Sequence, residues 1–132
     1  MQYSKYNMKN YLAITAILGA ITIILGAFGA HALKEILTEE NLNSFETAVR
    51  YQMYHVLALL FIQQNTLLTK KIKKQLSLLF LTGIALFSGS IYAITLLKIP
   101  AKSIWFVTPL GGLLLIIGWI LLAFSFFKKS KN

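Results

Sequence analysis

A chain of 132 residues that is 57% hydrophobic and only 13% charged is one domain's worth of sequence, too apolar for a water-soluble domain of that size, and a membrane protein is the expected class. The absence of cysteine excludes disulfide frameworks, thiolate metal sites and cysteine nucleophiles. The net charge of +9 does not imply nucleic acid as a partner, because the basic residues stand in short flanks between apolar runs and not along one amphipathic face.

Four stretches hold no Lys, Arg, Asp or Glu: residues 11–33, 51–69, 75–97 and 103–127, of 23, 19, 23 and 25 residues. At a rise of about 1.5 Å per residue each is long enough to cross a hydrocarbon core roughly 30 Å thick. Irregular chain is excluded over such lengths in lipid, and the stretches are too long and too weakly alternating for barrel strands. The expected fold is all-α: a single transmembrane domain over residues 1–132, built as a four-helix antiparallel bundle with a short amphipathic helical segment between the first two helices.

In the first stretch Gly19, Gly26 and Ala30 recur on one stripe, with Ala20, Ala27 and His31 beside it, and small residues of this kind let helices approach in lipid. His31 is expected at the inward-facing end of that helix, roughly 15 Å from the midpoint of the span. Lys5, Lys9, the apolar run and "AHA" at 30–32 also imitate a secretory signal, but the run exceeds the 7–15 residues such a signal uses. "LKEIL" at 33–37 predicts an interfacial turn with Leu33, Ile36 and Leu37 toward lipid. The spacing of Asn43 and Glu46 is that of a capping box, predicting a helix that starts near Ser44 and runs unbroken into the second stretch.

"YQMYH" places Tyr51, Gln52 and His55 on one helical face, with His55 roughly 6 Å outward of the midpoint. The third stretch offers Ser88, Ser90 and Tyr92 between the centre and roughly 8 Å outward, beside the small residues Thr82, Ala85, Gly89 and Ala93. In the fourth, Gly111, Gly118 and Ser125 recur every seven residues. Thr108 and Pro109 make a favoured helix start, and Gly112 with Gly111 would then leave first-turn N–H groups open to an anion or lipid headgroup. A helix that starts near Ser103 and bends at Pro109 is the other reading.

With both termini in the cytoplasm, nine basic residues fall on the inner side and Lys34, Arg50, Lys98 and Lys102 on the outer, as the positive-inside rule requires of a plasma-membrane protein. All four acids, Glu35, Glu39, Glu40 and Glu46, lie in the first outer segment. The polar residues His31, Tyr51, Gln52, His55, Ser88, Ser90, Tyr92 and Thr108 then gather in the outer half. In the inner half Thr15, Thr22, Gln63 and Gln64 are scattered, too few for a proton path.

No metal or cofactor is expected: His31 and His55 differ in depth by about 9 Å and no third ligand is apparent. Ser88 or Ser90, His55 and Glu46 are the nominees for a catalytic set, but no strained nucleophile turn marks either serine, and no catalytic residue is assigned. The cluster either fixes helix register through hydrogen bonds worth about 0.6 kcal/mol each or lines an outward-open pocket.

"GAFGAH" at 26–31, "YQMYH" with "LALL" at 51–60, "FSGSIY" at 87–92, "TPLGG" at 108–112 and "GW" at 118–119 resemble the small bacterial inner-membrane family labelled domain of unknown function 423, similar to a small eukaryotic transmembrane protein. The resemblance runs from about Leu12 to Phe127. It implies a multi-pass plasma-membrane protein of unassigned activity and marks His31, Tyr51, Gln52, His55, Ser88, Gly89, Ser90, Tyr92, Thr108, Pro109, Gly111, Gly112 and Trp119 without giving any of them a role. The leading expectation is a binding or accessory protein, with the lipid bilayer, a lipid-like or small ligand, a second copy or a partner membrane protein as its partners. A small transporter or channel subunit comes second, and an intramembrane enzyme third.

Overall fold

The computed structural model of the chain describes residues 7–127; Lys5, Lys128, Lys129 and Lys131, which share in the charge asymmetry, lie outside them. Among the described residues there are four helices and no strand: α1 (Met8–Ala30), α2 (Glu39–Gln64), α3 (Lys70–Leu96) and α4 (Val107–Phe127), with 3-10 turns at Leu33–Glu35 and Ala101–Ser103. The all-α expectation holds. Three segments, Met8–Glu35, Lys70–Leu96 and Val107–Phe127, are long and apolar enough to cross a membrane. α2 has the length, at 26 residues, but not the hydropathy. It can carry Gln52, His55 and Gln63 because α1 and α3 flank it, and all three side chains are buried.

Each helix packs on its neighbours in sequence. The pairing is antiparallel throughout: Gly19 faces Val56 and Gly29 faces Phe45 across α1 and α2, while Gly83 faces Leu115 and Gly118 faces Phe80 across α3 and α4. One apolar core, with Leu59, Ile62, Leu76, Phe80, Ile84, Leu115 and Leu122 at its centre, fills the space between α2, α3 and α4.

The closest approach is between α3 and α4. A Cβ on Gly111 would collide with the backbone of Phe87, and one on Gly118 would stand 2.5 Å from the Phe80 ring. The seven-residue spacing of the fourth helix thus marks a true contact line. On α1 the contact line keeps Gly19 and Gly26 as expected and departs from expectation only at its C-terminal end, where Gly29 takes the place of Ala30. Thr15, Gly19, Thr22, Gly26, Gly29 and Leu33 face inward or are half-buried, whereas Ala30 is exposed. On α3 the small residues Thr82 and Ala85 face outward and Gly89 has nothing within 4 Å of its Cβ position; Gly83, beside Leu115, takes the packing role instead.

Helix starts differ from the sequence reading in two places. Thr38, not Asn43, caps α2: its Oγ1 accepts the Asn41 N–H at 3.2 Å, and Glu39 and Glu40 in the first turn suit the positive end of the helix dipole. Asn43 and Glu46 sit inside a helix that does run unbroken into the second charge-free stretch. α4 begins at Val107, with the Phe106 carbonyl accepting the Leu110 N–H. Pro109 is therefore the third helical residue, where a missing N–H costs nothing, and neither a Thr108 cap nor a bend describes it. Leu33, expected toward lipid, is 7% exposed and tucks in, while Ile36 faces out. α3 ends at Leu96 with Leu97 as its C-cap, and the φ of 53° at the next residue, Lys98, lets the Ile99 N–H return to the Ala93 carbonyl, a left-handed close that usually falls to glycine.

Candidate functional site

Polar side chains link every pair of neighbouring helices. Gln52 on α2 donates from Nε2 to the Leu18 carbonyl of α1 at 3.3 Å, and its Oε1 accepts the Tyr92 hydroxyl of α3 at 2.9 Å. Its two ends are thus used on two helices. Ser88 donates to the Ala48 carbonyl at 2.7 Å, a second tie between α3 and α2. Ser90 meets the Thr108 hydroxyl, joining α3 to α4, and also donates to the Phe87 carbonyl.

His55 joins α2 to α4. Trp119 Nε1 donates to His55 Nε2 at 3.0 Å, and His55 Nδ1 stands 2.6 Å from the Tyr51 carbonyl. An indole N–H only donates, so Nε2 must be the acceptor and the proton must sit on Nδ1. The imidazole is neutral in this arrangement, with both nitrogens occupied. Phe80 packs edge-on against its ring. Tyr51 contributes its carbonyl, while its side chain, 42% exposed, lies against Phe87 and Tyr54.

Of the eight expected residues the structure pairs Gln52 with Tyr92 and Ser90 with Thr108, gives Ser88 a backbone partner and His55 a Trp119 partner, leaves the Tyr51 side chain half-exposed, and sets His31 apart. That histidine is exposed at the C-terminal cap of α1, about three turns, roughly 18 Å, beyond Gly19, which lies at the level of Val56. The two histidines are not neighbours, and no group of three His, Asp or Glu side chains converges among the described residues. The serine–histidine–carboxylate set is not assembled either. Both serines bond elsewhere, both His55 nitrogens are taken, and Glu46 lies 3.7 Å from Arg50 on an exposed face.

Sequence reading passed over two features. Trp119 was marked by the resemblance, but an indole in an apolar run gives no sign that its N–H will find an imidazole. Gln63, grouped with scattered polar residues, donates to Ser77 in a fully buried pair, and Lys73 Nζ reaches the Gln63 carbonyl at 2.8 Å. The half of the bundle near the α2–α3 turn therefore has a polar tie of its own. Among the described residues no buried side-chain polar atom lacks a partner.

A second polar region is built differently. The first turns of α2 and the end of α3 enclose an open groove of about 550 Å³, lined by Glu40, Asn41, Asn43, Ser44 and Thr47 on one side and Ile91, Ile94 and Thr95 on the other. Thr47 and Thr95 are bonded to carbonyls of their own helices. The side chains of Glu40, Asn41, Asn43 and Ser44 make no hydrogen bond or ion pair among the described residues. Their placement follows from the early start of α2, which turns an apparent loop into helix standing beside α3.

Four packed helices, apolar outward faces and buried polar groups satisfied within the chain define a small helical membrane protein. Comparison with known proteins agrees. The chain belongs to the family described as "Protein of unknown function (DUF423)", which matches residues 25–112. It is 41% identical to a "UPF0382 membrane protein" of Haemophilus influenzae over 125 residues, covering 94% of this chain and 99% of that one. A UPF0382 membrane protein of Staphylococcus aureus is 40% identical over 121 residues, covering 92% and 98%, and YwdK of Bacillus subtilis is 35% identical over 126 residues, covering 92% and 98%. No solved structure matches the chain.

Proposed function

We propose that this protein acts in the plasma membrane by binding, with both termini cytoplasmic, and that it holds a lipid-like amphiphile in the groove between α2 and α3. The observation that carries the reading is the contrast in hydrogen bonding. The buried polar residues find partners in side chains or backbone carbonyls, whereas the groove presents a carboxylate, two amides and a hydroxyl with no partner among the described residues.

Depth supports the same ligand class. Ile91 and Thr95 stand about 8 and 14 Å from Leu86, the middle of the charge-free stretch 75–97, so the groove spans the edge of a hydrocarbon layer whose half-thickness is about 15 Å. Ile91 and Ile94 suit an acyl chain, and Glu40, Asn41 and Asn43 suit a head that donates hydrogen bonds, such as a primary ammonium. Binding is favoured over transport because the polar groups inside the bundle are already paired, leaving no open run of donors and acceptors for a solute to follow.

Native mass spectrometry with phosphatidylethanolamine as probe tests the reading. The wild-type chain should retain this lipid through detergent exchange, and Glu40→Gln with Asn43→Leu should lose it; equal retention by both overturns the groove. Topology is open to single-cysteine labelling on a chain that has no cysteine of its own. Lys71→Cys should react only after permeabilisation and Lys102→Cys from outside, and the reverse pattern contradicts the orientation.

A further inference from the structure

The two ends of the bundle differ in charge. At the end formed by the α2–α3 turn and the start of α1, the described residues include Lys9, Lys70, Lys71, Lys73 and Lys74 and no acid, whereas at the other end Lys34, Arg50, Lys98 and Lys102 are matched by Glu35, Glu39, Glu40 and Glu46. We propose that the lysine-rich end is a docking surface for anionic phospholipid, with the phosphate held by Lys70, Lys71 and Lys74 and an acyl chain lying along the end of α2.

The first argument is local electrostatics. α3 opens with four lysines in its first five residues and no acid in its first turn. That places positive charge on the positive end of the helix dipole and on neighbouring positions three and four apart, an arrangement that opposes helix formation unless an anion answers it. Among the described residues only Lys73 of these four is answered, by the Gln63 carbonyl at 2.8 Å. Lys70 and Lys71 are exposed, Lys74 is half-buried, and none of the three has an ion-pair partner among the described residues.

The second argument identifies the anion as a lipid. Leu67 at the tip of the turn is 78% exposed and Phe61 is 53% exposed. Beside them Leu60, Phe61, Gln64 and Asn65 line an open, mainly apolar groove of about 390 Å³. A soluble anion would use the lysines and leave this apolar surface uncovered. A phospholipid uses both, as basic clusters at a membrane surface do with anionic headgroups.

The test uses the purified full chain in an uncharged detergent, with phosphatidylglycerol as probe and phosphatidylcholine and inorganic phosphate as controls. Phosphatidylglycerol should bind and raise the unfolding temperature, and the effect should weaken as salt rises from about 0.1 to 1 M and the Debye length falls from about 10 to 3 Å. K70Q/K71Q/K74Q should bind it roughly a hundredfold more weakly, about fivefold for each lysine. K34Q/K98Q/K102Q should bind as the wild type does, and K70R/K71R/K74R should keep the affinity. Without lipid, the glutamine variant should unfold at a higher temperature than the wild type because like charges have been removed from the start of α3, an outcome that separates a lost surface from a damaged fold. Equal binding by the two glutamine variants, equal binding of phosphatidylcholine, or the same stabilisation by inorganic phosphate overturns the proposal. The groove between α2 and α3 lies at the opposite end and is tested with a different headgroup, so either reading can fail alone.

Discussion

The polar network inside the bundle and the polar groove at its end use similar side chains, amides and hydroxyls on α2 and α3, yet they differ in what those side chains touch. Gln52 uses its amide nitrogen on α1 and its amide oxygen on α3; the side chains of Asn41 and Asn43, on the same helix, have no partner among the described residues. Surroundings account for the difference. In an apolar interior an unpaired donor or acceptor is costly, so the residues retained there are ones that pair. At the edge of the membrane, water or a headgroup can complete them. A polar residue in a membrane protein is thus informative about ligands only once its partners inside the chain have been counted.

The largest effect on this contrast should come from a residue in neither region. Gly111→Ala would set a methyl group against the Phe87 backbone, which cannot give as a side-chain tip can. α4 must shift, disturbing both Ser90–Thr108 and Trp119–His55, and a loss of about 3 kcal/mol is expected from reversible unfolding in detergent or bilayer. Gly26→Ala, whose Cβ would stand 3.6 Å from Val49, should change stability little and serves as the matched control. Next in size is Gln52→Leu, which leaves the Tyr92 hydroxyl without its acceptor and should cost about 1–2 kcal/mol. A double-mutant cycle with Tyr92→Phe should show coupling between the two.

Trp119→Phe removes one donor from His55 and should cost about 0.6 kcal/mol, with indole fluorescence of the remaining Trp105 unchanged. An effect of similar size and opposite sign is expected just beyond the end of α3. Lys98→Gly relieves a left-handed backbone and should stabilise by roughly 0.5–1 kcal/mol.

How much of this was legible in the sequence depended on whether one residue's neighbours could be foreseen from its own helix. Charge-free runs announced the helices, since lipid leaves few alternatives for a long apolar stretch. Gly111 and Gly118 were legible because a seven-residue repeat keeps to one face. The α1 stripe was legible at Gly19 and Gly26 and off by one residue at its end, with Ala30 in place of Gly29, because positions three and four beyond Gly26 both satisfy helical spacing. His31 was read as part of the cluster because periodicity does not say that α1 ends at Ala30. The groove was missed for a related reason. With Asn43 taken as the cap and Ser44 as the start of the helix, Glu40 and Asn41 fall outside it until Thr38 is recognised as the cap that starts α2 before them.

The most direct test measures stability and lipid retention together, in one set of purified proteins, by native mass spectrometry with phosphatidylethanolamine followed by unfolding. Gln52→Leu with Tyr92→Phe should lower stability and keep the lipid, while Glu40→Gln with Asn43→Leu should keep stability within about 0.5 kcal/mol and lose the lipid. If the interior pair instead releases the lipid from a chain that remains folded, and the groove pair retains it, the buried network is the binding site and the division between them is wrong.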